Sequence, residues 1–128
     1  MAIGKSEREK VGLLYPELSY TVTGICFSTH NELGQFAREK QYGDMLEKKF
    51  REAKLAFMRE QSIGKSSNIL DFVIENKIAI ELKAKRSIIA EDYRQVQNYL
   101  QGSRLRLGLL VNFRNKYLKP IRIVRIDR

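Results

Sequence analysis

Apolar residues recur every three to four positions through the first half of this chain, then gather into short β-branched runs. The switch falls at a polar break, Ser62 to Asn68. After Pro16, which suits a first helical turn, Val22, Ile25, Cys26, Thr29 and Leu33 follow helical spacing until Gly34 offers a stop. A second set, Tyr42, Leu46, Phe50, Ala53 and Phe57, steps by four, four, three and four and predicts an amphipathic helix from Gln35 to about Arg59. Beyond the break, Ile69 to Ile74 and Ile78 to Ala84 read as strands. Glu75, Asn76 and Lys77 between them form a loop of hairpin length, so the two should pair antiparallel. Ser87 is placed to cap a third helix with the face Ile89, Tyr93, Val96 and Leu100, and Gly102 lies just past its expected end. Strands are expected at Leu105 to Asn112 and, after Lys119-Pro120, at Ile121 to Ile126. Helix, helix, hairpin, helix, strand, strand implies an α/β or α+β fold, a small mixed β-sheet flanked by helices.

At 128 residues the chain is read as one domain, 1–128, with residues 1–15 a charged N-terminal extension. It holds no apolar run near the roughly 18 residues a bilayer span requires. Met1 to Lys10 is charged where a signal peptide needs an apolar stretch, so a soluble, cytoplasmic protein with no membrane partner is expected. The single cysteine, Cys26, excludes an internal disulfide and a cysteine-rich zinc site. Twenty-four basic against fifteen acidic residues give a net charge of +9, and the excess is local. Residues 1–81 carry twelve of each sign, whereas residues 82–128 carry twelve basic and three acidic side chains. That asymmetry suits a polyanionic partner, although a solubilising surface explains it as well. The candidates for phosphate contact are Arg104 and Arg106, two apart on an expected strand, and Arg114, Lys116 and Lys119 around an expected turn.

The hairpin contains more charge than a core needs. A three-residue loop pairs Ile74 with Ile78, and counting back sets Asp71 opposite Glu81; Lys83 shares the Glu81 face. Facing carboxylates repel by a few tenths of a kcal/mol or more. A divalent cation would reverse that sign, because Mg²⁺ and Mn²⁺ take hard oxygen ligands. With a two-residue turn Asp71 would instead face Leu82. A third carboxylate, Glu39, lies three residues before Tyr42 and so begins the apolar stripe of the second helix, where it would want a partner.

Taken in order, these residues resemble the GxxExxY proteins of the PD-(D/E)XK nuclease-like superfamily. The resemblance is carried by His30 to Gly34 (HNELG), Glu39 to Tyr42 (EKQY), Asp71, Glu81 to Lys83 (ELK), Gln95 to Leu100 (QVQNYL) and Leu107 to Phe113 (LGLLVNF), and it runs from about Leu18 to the C-terminus. It implies a restriction-endonuclease-like core and metal-dependent hydrolysis of phosphodiester bonds in DNA or RNA. Mapped residue by residue, it makes Asp71 and Glu81 metal ligands, with the backbone carbonyl of Leu82 a further one, and Mg or Mn the cofactor. Lys83 would orient or help deprotonate the attacking water, Glu39 would complete the acidic cluster, and Gln95 would support the site or the phosphate. Phe36 stands where the family has its first glycine. Family members usually carry an extra strand or two before the aspartate, yet only about Gln61 to Ile69 intervenes here, so the sheet is expected to have a shortened edge. A second subunit could fill that edge, making a homodimer.

Two functions are therefore carried forward: a metal-dependent nuclease, and a non-catalytic nucleic-acid-binding or assembly module on the same fold. A nucleotide-binding enzyme is disfavoured, since Gly64-Lys65-Ser66 lacks the earlier glycine of a phosphate loop. Tyr42 reads as a packed tyrosine with a bonded hydroxyl, Cys26 as a small buried hydrophobe, and His30 as a surface or helix-stabilising residue.

Overall fold

The computed structural model describes residues 14–62 and 69–127. The polar break after Ser62 and most of the charged N-terminal extension lie outside them. Pro16 opens helix α1 (Pro16–Leu33), which buries Val22, Cys26, Thr29 and His30. It stops at Gly34, whose φ of 76° is a region that glycine enters without Cβ strain. Helix α2 (Glu39–Glu52) buries Tyr42, Gly43, Leu46 and Phe50, the stripe that its spacing predicts.

That helix is shorter than expected. Ala53 caps it, and Lys54 turns the backbone left-handed at φ 58°. The chain then forms strand β1 (Phe57–Ser62) over residues whose spacing had continued the helical pattern. Phe57 still reaches the core, because its ring packs 5.9 Å from Phe50 and 6.0 Å from Phe72. Strand β1 pairs antiparallel with β2 (Ile69–Ile74), so the expectation of a lost edge strand is overturned. The ground for expecting a homodimer falls with it.

Strand β2 turns through Glu75 and Asn76, each at φ 53°, into β3 (Ile78–Lys83), and the hairpin has the expected Ile74–Ile78 register. Helix α3 (Ala90–Ser103) crosses over to β4 (Leu107–Asn112), which lies parallel to β3, and β5 (Ile121–Val124) pairs antiparallel with β4. The sheet order is β1-β2-β3-β4-β5, a mixed five-stranded sheet. Helices α1 and α2 pack with Phe72, Ile80, Leu82, Leu109 and Val111 on one face; α3 packs with Val73, Ala79 and Leu110 on the other. Strands β3 and β4 are buried on both faces, as the parallel centre of a layered sheet must be.

Helix α3 differs from expectation at both ends. Ser87 does not cap it; instead Asp92, three residues into the helix, accepts the Ile89 N–H at 2.8 Å. Ile89 and Tyr93 are exposed, and the buried face is Asp92, Val96, Tyr99 and Leu100. Gly102 lies inside the helix, which ends on Arg104 at φ 67°. Gly108 lets α3 sit close to β4, since a Cβ there would lie 2.6 Å from a Val96 methyl.

Candidate active site

The sheet opens where the hairpin carries its acids. The β2–β3 ladder runs from Ile74–Ile78 to Phe72–Ile80, and the same register sets Asp71 opposite Glu81. On the other side, the β1–β2 ladder passes from Arg59–Phe72 to Gln61–Leu70 and skips the Glu60–Asp71 position, with Glu60 left-handed at φ 58°. Asp71 therefore stands in a gap between strands. Its Oδ2 accepts the Leu82 N–H at 2.8 Å.

Glu81 is buried, and its carboxyl is pushed up to about 9, first by burial, then by hydrogen bonding with Asp71 and the Asp71 charge; Glu39 adds to this and Lys83 opposes it. Lys83 Nζ lies 3.6 Å from Glu81 Oε2 and 3.8 Å from Asp92 Oδ1. Asp92 also meets Lys85 at 2.5 Å. Burial disfavours the charge on Asp92, but the Ile89 N–H and the Lys85 and Lys83 ammonium groups outweigh it and hold the carboxyl below its ordinary range.

Glu39 is not buried on the α2 stripe as expected. It is the exposed first residue of α2, and it lines a cavity of about 570 Å³ with Lys40, Asp44, Arg59, Glu60, Asp71 and Leu82. Arg59 is held over that wall by Asp44 at 2.8 Å and by the Phe72 ring at 5.5 Å. Gly43 leaves room for it, because a Cβ there would collide with the guanidinium. Gln95, partly buried, lies three residues after Asp92 on α3. Asp71, Glu81, Leu82 and Lys83 are thus brought together and Glu39 opens on the same cavity. Among the described residues, no three Asp, Glu, His or Cys side chains converge into a ready cage for a metal ion. A pair of carboxylates completed by water is nonetheless a normal magnesium donor set.

The basic candidates divide between the two ends of the sheet. Strand β4 starts beside Ile78 and ends beside Lys83. Arg104 and Arg106 precede its start and lie at the end away from the carboxylates. Arg114 and Lys116 follow Asn112, which pairs with Lys83 in the β3–β4 ladder. Asn112 ties the two strand ends further: its Nδ2 donates to the Lys85 carbonyl at 2.7 Å and its Oδ1 accepts the Lys85 N–H at 3.1 Å. Lys119 is exposed just before β5.

The remaining residues singled out in the sequence serve the packing. Tyr42 is fully buried, stacks on Phe113 with centroids 4.3 Å apart, and donates its hydroxyl to the Gly34 carbonyl. His30 is buried rather than on the surface, and its Nε2 donates to the Asn115 carbonyl at 2.8 Å. Burial pushes the Cys26 thiol up to about 12, which removes it as a nucleophile. Sequence reasoning missed Asp92, Lys85, Asn112, Arg59 and Glu60. Asp92 alone left a trace, an acid three residues beyond a helix start; Arg59 and Glu60 were hidden by reading their strand as helix.

The family profile of the PD-(D/E)XK nuclease superfamily matches residues 16–125, so the chain belongs to that superfamily. The mixed sheet with helices on both faces agrees with its restriction-endonuclease-like core. No curated protein and no solved structure matches the chain significantly. No helix among the described residues is long and apolar enough to cross a membrane.

Proposed function

We propose that this protein is a divalent-metal-dependent nuclease that hydrolyses phosphodiester bonds of DNA or RNA in the cytoplasm, and that it is a GxxExxY member of its superfamily. The observation that carries the reading is the hairpin register that sets Asp71 opposite the buried Glu81, with the Lys83 ammonium 3.6 Å from the Glu81 carboxyl. A sheet gains nothing from burying such a pair without a function for it. Asp71 and Glu81 would hold Mg²⁺ or Mn²⁺, with the Leu82 carbonyl and water completing the set. When bound, the ion lowers the pKa of a water and offsets charge on the phosphate under attack.

The chain's own groups do the rest. The Leu82 N–H holds the Asp71 carboxyl in place beside Glu81. Asp92 and Glu81 both draw on Lys83, which would hold the ammonium to orient the attacking water and offset phosphate charge. Glu39 and Glu60 on the cavity wall can accept hydrogen bonds from ordered water, and Gln95 on α3 would support the site or the phosphate. Arg114, Lys116 and Lys119 would contact the nucleic-acid backbone near the site.

A second reading, a non-catalytic nucleic-acid-binding or assembly module, is favoured by the absence of a three-ligand cage among the described residues. Titration with Mg²⁺ and Mn²⁺ in a calorimeter separates the two. The nuclease reading expects binding that is lost in Asp71→Asn, whereas the module reading expects none.

A further inference from the structure

The two segments that meet beside the carboxylates, residues 34–38 and 113–117, are joined below the surface and aromatic above it. Inside, Tyr42 stacks on Phe113, the Gln35 side-chain amide donates to the Arg114 carbonyl at 3.1 Å, and His30 donates to the Asn115 carbonyl. Outside, Phe36 is 77% and Tyr117 80% exposed. Each carries a cation: the Arg114 guanidinium lies 5.7 Å from the Phe36 centroid, and Lys116 Nζ lies 5.5 Å from that of Tyr117. Tyr20, Phe27 and Tyr93 are exposed too, but they lie on α1 and α3, and among the described residues no cation sits over them. A single exposed ring needs no explanation. Two exposed rings on tethered loops, each with its own cation, form a pattern.

The pattern sits on segments next in the chain to Glu39, which lines the cavity, and to Asn112, the ladder partner of Lys83. Phe36 precedes Glu39 by three residues, about 10 Å of chain at most. Arg114 follows Asn112, whose ladder partner is Lys83. Among the described residues, no carboxylate pairs with Arg114, Lys116 or Lys119, and the buried Nε of Arg114 has no hydrogen-bond acceptor. Cations without anions beside open ring faces are what an unpaired strand requires. Phosphates take the charges, and bases, unavailable in a duplex, take the rings.

We infer that Phe36 and Tyr117 are a stacking platform for unpaired nucleotides, so that the substrate class is a single-stranded DNA or RNA segment. Such a segment includes the frayed or flapped part of a longer duplex. This rests on the nuclease reading for what the cavity does, but not for how the strand is held. Stacking tolerates any base, so recognition is of strandedness rather than sequence.

The test is fluorescence anisotropy in EDTA with the full chain and four probes: oligothymidylate, oligouridylate, a DNA duplex of the same length, and an abasic strand. Both single strands are expected to bind more tightly than the duplex or the abasic strand. Phe36→Ala and Tyr117→Ala should each weaken oligothymidylate binding by about five- to a hundredfold, with the salt slope unchanged. The same substitutions should leave the affinity for the abasic strand as it was. Preference for only one of the two sugars would support the platform and name the nucleic acid. Equal affinity for duplex and single strand, or an abasic strand bound as tightly as oligothymidylate, would overturn it. Cleavage assays on the same proteins separate this inference from the reading beneath it. Metal-dependent cutting by a protein whose Phe36→Ala and Tyr117→Ala forms bind oligothymidylate like wild type sinks the platform and spares the nuclease. Stacking without cutting in any metal spares the platform alone.

Discussion

At the scale of residues, burial displaces the Glu81 carboxyl furthest from its ordinary acidity among the acids of the candidate site. Glu81 ordinarily titrates near 4.5 and is pushed up to about 9, so between those values the folded protein keeps a proton that the unfolded chain has lost. The contribution of this group to stability is therefore present in full at low pH and falls as pH rises toward 9. Two outcomes follow for the metal-free protein. Glu81→Gln should flatten the decline in urea stability over that range, and Mg²⁺ binding at neutral pH should release about one proton, because a cation would require the Glu81 carboxyl deprotonated. Calorimetry in buffers of different ionisation heat counts that proton; zero release would mean that the ion binds elsewhere. The Asp71–Glu81 juxtaposition was legible from the sequence, because a three-residue loop fixes the register and a strand has period two. The second partner of Lys83 was not. Asp92 belongs to a helix, and its approach to β3 depends on how α3 packs, which no local pattern encodes.

At the scale of elements, the hairpin, α1 and the last two strands were legible because breaks and periodicity agreed there, and α3 was legible in place though not in its cap, end or buried face. Strand β1 was not, for a physical reason. Phe57 continues the four-three-four rhythm of α2 and packs against Phe50 even though it lies on a strand, so apolar spacing alone could not separate the two. The signal that stops the helix is conformational: Lys54 turns left-handed without being glycine, and Arg104 does the same after α3. For L-residues that geometry costs roughly 1–2 kcal/mol, so Lys54→Gly should raise stability by about 1 kcal/mol despite the greater chain entropy of glycine. Urea denaturation measures this, and a loss of stability would argue against the turn. Gly108 predicts the opposite sign. Val at that position would collide with Val96 between α3 and β4, and a destabilisation of about 1–3 kcal/mol is expected from overpacking; a neutral effect in the same assay would contradict the close approach.

At the scale of the whole molecule, the sheet has two ends, and the Asp71–Glu81 pair and Lys83 lie at one. The charge excess after residue 81 pointed to a polyanion without saying which arginines matter. Topology supplies that distinction, since β3 and β4 run parallel and finish together at Lys83 and Asn112. Arg114→Ala with Lys116→Ala should weaken nucleic-acid binding and reduce its log-log salt slope by about 0.7–0.9 for each phosphate that is no longer neutralised. Arg104→Ala with Arg106→Ala, at the far end, should leave both nearly unchanged. If the far pair proves to carry the salt slope, the strand runs over a different face.

The most direct test of the central claim compares wild type, Asp71→Asn and Lys83→Ala on labelled single- and double-stranded DNA and RNA, with Mg²⁺, Mn²⁺ or EDTA. The account predicts cutting of at least one substrate by wild type in a divalent metal and none in EDTA. It predicts a rate lowered about a hundredfold or more by Lys83→Ala, with metal binding retained, as expected when a group that stabilises charge at the reacting phosphate is removed. Cutting that persists undiminished in Asp71→Asn and Lys83→Ala, or metal binding with no cutting of any of the four substrates, would contradict it.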